Sequence, residues 1–330
     1  MNGDHRVVAY IDLLGFSDLV VRDLRVAEHL LSDFYNMAQR IKISDGFAEL
    51  ELFLFSDFLF VQGDDVSLVV NYVCKLYREA LQYSETSAWP MLCRGGVARG
   101  AVITQQRHQA PNVTKNFVIS PALTHAVKME ALVKGQRLLL AANEREALSH
   151  FWNDQIHAIC YDQPSIRPTR LFLKYRYQDL LWARDSGKEY RDAKTETRHL
   201  VRIASKLFKD NYGRLKGVSV HYAETLRICM LSYASLLESC PEDRDLLAHL
   251  VDEVLITCPD EPTWLGFIEM VLLSRDAYAF QIDRAVLSFL RFALVSPRWG
   301  AVCATLERQE NLQLLNSVKE LIDVAMREGE

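Results

Sequence analysis

The sequence predicts an α+β half followed by an all-α half, and three observations carry that expectation. Residues 6–133 alternate short apolar runs with longer stretches whose apolar groups recur at helical spacing. A polar segment, DSGKEYRDAKTETRH at 185–199, reads as a linker. From there to Glu330 long helical patterns dominate, broken at CPED, CPDEP and SPRWG, with no clean repeat period. The division is placed between 1–185 and 186–330.

The elements follow in order. Residues 6–13 form an apolar, β-rich run suited to a central strand covered on both faces. Residues 19–42 place Leu24, Leu30, Leu31, Phe34, Met37 and Ile41 at helical intervals. ELELFLFSDFLFVQGDD then gives two extended runs, 49–55 and 58–62, hinged at Ser56-Asp57 as an antiparallel hairpin. Residues 65–84 return to helical spacing, and Pro90 ends that pattern. MLCRGGVARGAVI reads as a strand pair or as one strand with glycine punctuation. Residues 120–133 read as a helix, with Ser120 as N-cap and Pro121 in the first turn. RLLLA (137–141) and RLFLKY (170–175) are further strands, and the polar stretch 105–116 between them and the glycine-rich strand reads as a flexible loop.

Composition narrows the functional classes. The 330 residues include 49% hydrophobic residues, enough for well-filled cores. The net charge of −5, with both signs interspersed, gives no basic surface for nucleic acid. The seven cysteines form no CxxC pair and read as free thiols of a reducing cytoplasm. The N-terminal run is too short and too soon charged for a secretory signal. No segment reaches the roughly eighteen apolar residues of a membrane span. The nine histidines show no HExxH spacing, so no zinc is assigned, and no GxxxxGK[ST] loop is present.

Two aspartates stand out. Asp12 ends an apolar strand in YIDLLGFSD, and Asp57 sits in the tip of an apolar hairpin. Asp12 reads either as a cap for the next helix or as a carboxylate set at a sheet's end to hold a cation. An apolar setting makes an unpaired charge costly. Two such carboxylates on neighbouring strands call for a cation between them, and Mg²⁺ is held by one or two carboxylates while leaving positions for phosphate oxygens. Gly15 lets the backbone come close, and the N–H groups that open the following helix can face an anion.

These motifs resemble the class III nucleotidyl cyclases. YIDLLGFSD is similar to their first-strand motif, LFLFSDFLFV to their metal-binding hairpin, and CRGGVARGAV to their R-x-G-x-x-x-G strand, matched at Arg94, Gly96 and Gly100. VISPALTHAVKMEAL falls where the family has its G-x-x-[VL]-N-x-A-x-R-[ML] helix. The resemblance covers residues 6–133 and implies a ferredoxin-like cyclase catalytic domain ahead of the helical region. It implies that Asp12, the Leu13 backbone carbonyl and Asp57 hold two Mg²⁺ or Mn²⁺ ions per site. It further implies that the Gly15, Phe16 and Ser17 amides and Arg94 bind phosphate, that Lys174 supplies the phosphate lysine, and that the active sites lie at a homodimer interface. The same 105–116 stretch falls where these domains carry a hairpin excursion.

The departures from the family pattern are as informative. Its transition-state asparagine falls at Thr124 and its arginine at Lys128; threonine keeps one hydrogen-bond donor and lysine keeps only the point charge. Its purine-selecting positions fall at Phe53 and Phe117, whose rings offer stacking surface and no hydrogen bond to a purine edge. A smaller base fits this better, and the LLGFS and FSD wording is nearer to the bacterial Pycsar cyclases, antiphage enzymes that make cUMP or cCMP. The resemblance thus implies a cytoplasmic cyclase acting on a pyrimidine nucleoside triphosphate, UTP before CTP, that signals to a separate cyclic-nucleotide effector. Two readings stand beside it: a cyclase-like domain that binds nucleotide without turnover, and a purine cyclase. Phe53 also has a purely structural reading, as core among Phe55, Phe58 and Phe60.

Overall fold

The structure, a computed structural model, describes residues 4–106, 116–131, 134–141, 160–162, 176–185, 187–211 and 219–238, with isolated positions beyond. Strand β1 (Asp4–Leu13) leads into helices α1 (Phe16–Arg22) and α2 (Leu24–Ser44). The hairpin β2 (Glu51–Phe55) and β3 (Phe58–Gly63), helix α3 (Val66–Tyr83) and strand β4 (Cys93–Gln106) follow. Then come β5 (Asn116–Ile119), α4 (Pro121–Glu130), β6 (Leu138–Ala141), β7 (Cys160–Asp162), β8 (Arg176–Asp179), α5 (Tyr190–Asn211) and α6 (Ser219–Glu238).

The sheet runs β2-β3-β1-β4-β6-β8-β7, with β5 paired to β4 off this path. Its first four strands are mutually antiparallel and arise from a β-α-β-β-α-β order, which is the ferredoxin-like arrangement. β1 is therefore central, as its continuous apolar run predicts. Val7, Val8, Ala9 and Ile11 are wholly buried.

Each face of the sheet is covered for a reason visible in the residues. On one face lie α2 and α3, tied together by the Tyr72 hydroxyl donating to the Ala38 carbonyl at 2.8 Å. On the other, α4 packs across β1 and β4. Gly96 and Gly100 make that seat: a Cβ on Gly96 would stand 2.6 Å from the Ala126 carbonyl oxygen, and one on Gly100 3.3 Å from the Ala122 Cβ. Arg94 lies on the same face, because alternate strand residues share a side.

Several expectations need correction. The helical pattern at 19–42 is two helices, because Asp23 stops the first and its carboxylate accepts from the Arg25 and Val26 amides to start the second. The glycine-rich segment is one long strand, not a pair. The supposed linker is helical from Tyr190, since Ala193, Thr197, Leu200, Val201, Ala204 and Phe208 form a buried stripe beneath its polar side chains. The short strands β5, β7 and β8 are additions. The expected strand at 170–175, the loop residues 107–115 and most of the helical region beyond 238 lie outside the described residues.

Helices α5 and α6 share the core with the sheet. The loop at 134–137 is where they grip it. His221 Nδ1 accepts from the Gly135 amide at 3.0 Å, and the Thr225 hydroxyl accepts from the Gln136 amide at 2.9 Å. Arg137 pairs with Glu224 at 3.2 Å. The indole of Trp182, fully buried, donates to the Gln136 carbonyl at 2.7 Å. From the same loop the Gln136 side chain accepts from the Cys93 amide, and the Arg137 carbonyl accepts from the Gly95 amide. Among the described residues, Cys74, Cys93 and Cys229 are buried free thiols, and no helix is long and apolar enough to cross a membrane.

Gly135 has φ +76, and a Cβ there would meet the His221 carbonyl oxygen and Thr225 nitrogen at 2.8 Å. Gly135→Ala combines left-handed strain with overpacking against α6, and chemical denaturation should show a loss of about 2–4 kcal/mol.

Candidate active site

Asp12 does not cap a helix. The N-cap of α1 is Gly15, at φ 75, which has no side chain to offer. The aspartates that do cap, Asp23 and Asp65, each accept two backbone amides. Asp12 instead stands second from the end of β1, opposite Phe58 of β3 and Arg94 of β4. With neighbours on both sides, its position is fixed by two ladders.

Asp57 is brought to it by the hairpin. Phe55 and Phe58 pair, leaving Ser56 and Asp57 as a two-residue tip. Ser56 adopts φ 51, the left-handed region that such tight hairpins require and that serine rarely visits. The Tyr35 hydroxyl donates to the Ser56 carbonyl at 2.8 Å, and the Leu13 amide donates to the Asp57 carbonyl at 2.9 Å. The tip is thus strapped to the end of β1, and Leu13 adjoins both aspartates. Strain of this kind persists where the surroundings over-determine it.

The electrostatics of the site are unbalanced. Burial raises the Asp12 carboxyl to about 6; Arg94 pulls it down and the Asp57 charge pushes it up further. The Tyr10 hydroxyl, on the same face, is pushed up to about 12 by burial first and then by Asp12, Glu130 and Asp57. Arg94 Nη2 reaches Asp12 Oδ2 at 3.4 Å, while its Nε forms a close ion contact, not an aligned hydrogen bond, with Glu130 Oε1. The Glu130 carboxyl is itself raised, by burial above all. Arg94 thus lies between the Asp12 and Glu130 carboxylates, the Asp57 charge acts on Asp12, and Lys134 is a second cation acting on Glu130, so carboxylates outnumber cations. That surplus of negative charge suits a divalent ion. Among the described residues no three His, Cys, Asp or Glu form a metal cage, so any such ion would retain open positions for other oxygens.

The remaining expected residues divide. Gly15, Phe16 and Ser17 lie together at the turn after β1; Phe16 is buried, and Ser17 is exposed beside the acidic Asp18. α1 has only seven residues. Phe53 is half-buried on the Asp12 face of the sheet, its ring 5.2 Å from that of Phe60. Phe117 belongs to β5, opposite Gln105; its side chain lies outside the described residues, as does all of Lys174. Thr124 and Lys128 are exposed one turn apart on α4, on the side away from Glu130. The Thr124 hydroxyl donates to the Ser120 carbonyl at 3.2 Å. Within one chain, then, the structure unites Asp12, Leu13, Asp57 and Arg94, and leaves Thr124 and Lys128 facing outward.

Glu130, Tyr10 and Tyr35 were not anticipated from sequence. Tyr10 was findable, since it lies two residues before Asp12 in a strand and so shares its face. Glu130 had one signal: it continues the buried stripe of Ala122, Ala126 and Met129 on α4. Tyr35 had none, because its contact depends on how α2 passes the hairpin.

No family model and no curated protein matches the chain. Among solved structures it is similar to the guanylyl cyclase Cya2, at 15% identity and a TM-score of 0.44, over 55% of this chain and 94% of that one. It is also similar to the adenylyl cyclase CyaB from P. aeruginosa, at 14% identity and a TM-score of 0.42, over 53% of this chain and 93% of that one. The catalytic core of a rhodopsin-guanylyl cyclase shares 12% identity, with a TM-score of 0.39 over 55% and 96% of the two chains.

Because the Asp12 carboxyl stands near 6 in the fold against 3.8 in its ordinary setting, folding favours its protonated form. That contribution is complete below about pH 4 and is lost as pH rises through about 6. Asp12→Asn cannot ionise. In EDTA it should exceed the parent's stability above pH 7 by about 1–2 kcal/mol, allowing for solvent screening of this part-exposed group, and match it at pH 4.

Proposed function

We propose that the chain is a nucleotide cyclase that converts a pyrimidine nucleoside triphosphate, UTP in preference to CTP, to its 3′,5′-cyclic monophosphate and pyrophosphate. The observation that carries this reading is the meeting of Asp12 and Asp57 at the tip of β1, strapped together by the Leu13–Asp57 backbone bond and left with excess negative charge. The order of motifs from YIDLLGFSD to VKMEAL supports the same conclusion.

In this reading Asp12, the Leu13 carbonyl and Asp57 hold two divalent ions, Mg²⁺ or Mn²⁺. When bound, these supply Lewis-acid activation of the ribose 3′ hydroxyl and neutralise the triphosphate. The 3′ oxygen gives its proton to solvent and forms a bond to the α-phosphorus, while the bond to the β-phosphate oxygen breaks and pyrophosphate leaves. The chain's part is positioning. Gly15, Phe16 and Ser17 offer amides to phosphate at the turn after β1, and Arg94 and Lys174 offer cations. Phe53 and Phe117 bound the base with rings that donate no hydrogen bond, which favours the smaller pyrimidine. Thr124 and Lys128, exposed on α4, reach the site of a second copy, so that a homodimer holds two composite sites. The product would act on a separate effector in bacterial antiphage signalling in the cytoplasm, a role that rests on the LLGFS and FSD wording.

One observation favours a second reading, in which the chain binds nucleotide without turnover. The Thr124 hydroxyl, which stands in for an amide, is already donated to Ser120 within its own helix.

Purified protein with Mn²⁺ and each of the four ribonucleoside triphosphates should yield cyclic UMP and pyrophosphate, with cyclic CMP second. Product from ATP or GTP alone overturns the pyrimidine assignment, and tight nucleotide binding without product favours the second reading. Asp12→Ala or Asp57→Ala should lower turnover by at least about a hundredfold. Mixing Asp57→Ala chains with Lys128→Ala chains should restore part of it; no recovery counts against shared sites.

A further inference from the structure

Arg94 is shared between two carboxylates on different elements, and only one of them belongs to the metal pair proposed above. Its backbone is fixed beside Asp12 by strand register and by the Cys93 and Gly95 amides bonded to the 134–137 loop. Its side chain is not fixed in the same way. Nη2 stands 3.4 Å from Asp12 Oδ2, a long contact, while Nε lies tightly against Glu130 Oε1. The side chains of Arg94, Asp12 and Glu130 are only 22%, 19% and 9% exposed, so water screens these contacts weakly. Among the described residues, the other ionisable groups coupled to the cluster are Asp57, Lys134, His221, Tyr10, Tyr77 and Cys93.

A guanidinium that closed fully on Asp12 would form a bidentate pair, the strongest arrangement open to it. It would then occupy the charge that a divalent ion needs. Glu130 draws it the other way. The seat of α4 on Gly96 and Gly100 holds Glu130 at the helix's last turn, directly above Arg94.

We propose that Glu130 is a positioning residue that holds Arg94 off Asp12, keeping the Asp12–Asp57 pair open to a divalent cation and turning Arg94 into a second-position cation beside it. The inference rests on the reading of Asp12 and Asp57 as metal ligands. It adds that Arg94 competes with the ion for Asp12, and that a residue outside the ligand set controls how strongly it competes.

The test is Mn²⁺ binding to the full chain without nucleotide, followed by electron paramagnetic resonance. Glu130→Gln should weaken Mn²⁺ affinity by about fivefold or more, because Arg94 is released onto Asp12. Arg94→Gln removes the competitor and should bind Mn²⁺ at least as tightly as the parent. In that background Glu130→Gln should have less than about a twofold further effect. Glu130→Asp, which keeps the charge but withdraws it by one methylene, should fall between the parent and Glu130→Gln, and serves where the neutral variant does not fold. An unchanged affinity in Glu130→Gln and Glu130→Asp overturns the proposal. So does a full-sized loss that persists with Arg94→Gln, since Glu130 would then act as a ligand or by charge alone. If the parent binds no Mn²⁺, or Asp12→Asn binds it equally well, the metal assignment itself falls.

Discussion

The interaction on which the site depends is a single backbone hydrogen bond, from the Leu13 amide to the Asp57 carbonyl. It closes the hairpin tip onto the end of the central strand and forces two like charges into one field. Left alone, such a pair would separate or take up a proton; the Asp12 carboxyl is raised chiefly by burial, and the Asp57 charge adds to the rise. Separation is prevented by geometry. β1 is held on both edges by β3 and β4, and the tip is pinned again by Tyr35 on the far side. The fold therefore stores electrostatic tension at one place and local backbone strain, at Ser56, immediately beside it. Glycine or asparagine takes a positive φ at less cost than the serine found at that position.

The glycines of β4 extend this logic outward. Gly96 and Gly100 remove side chains from the face carrying Asp12 and Arg94, so that α4 can lie directly on the strand. That descent delivers Glu130 to the charged cluster. Gly95, on the opposite face, stands against Tyr77, and its amide bonds to the 134–137 loop that α6 grips. Helices from the second half of the chain are thus connected to the strand segment bearing Arg94 through a short series of hydrogen bonds, each to buried or part-buried partners. Any account of the site that stops at residue 133 leaves out part of what holds it.

How much of this was readable depended on whether a residue's neighbours were local. The β1 strand, the hairpin with its Ser56-Asp57 tip and the Ser120-Pro121 start of α4 are set by adjacent residues, and the sequence pattern placed them to within a few positions. The polar segment at 185–199 misled because charge density hid a narrow buried stripe of small residues, Ala193 and Thr197 among them. β5, β7 and β8 are three or four residues long and exist only through pairing; no local periodicity announces them. Asp12 was ambiguous between a cap and a sheet-end charge, because the same residue type serves both. Only the strand ladder and the side-chain-free Gly15 decide it. For Arg94 the sequence suggests only a phosphate-binding cation, and the carboxylate that shares it lies thirty-six positions away, beyond the reach of spacing arguments.

The outward residues are the complement of the same arrangement. Thr124 and Lys128 occupy the side of α4 that the seat on β4 cannot bury, and Phe53 lies on the edge hairpin, on the sheet face that α4 leaves partly open. Near them Phe55 is 67% exposed and Val127 37%. In the proposed homodimer these apolar side chains would lie beside the composite site. In that pairing the carboxylates that crowd one protomer would face cations on the other. The tension stored at Asp12 would then be relieved by assembly together with the ions, so that cation binding and association would strengthen one another.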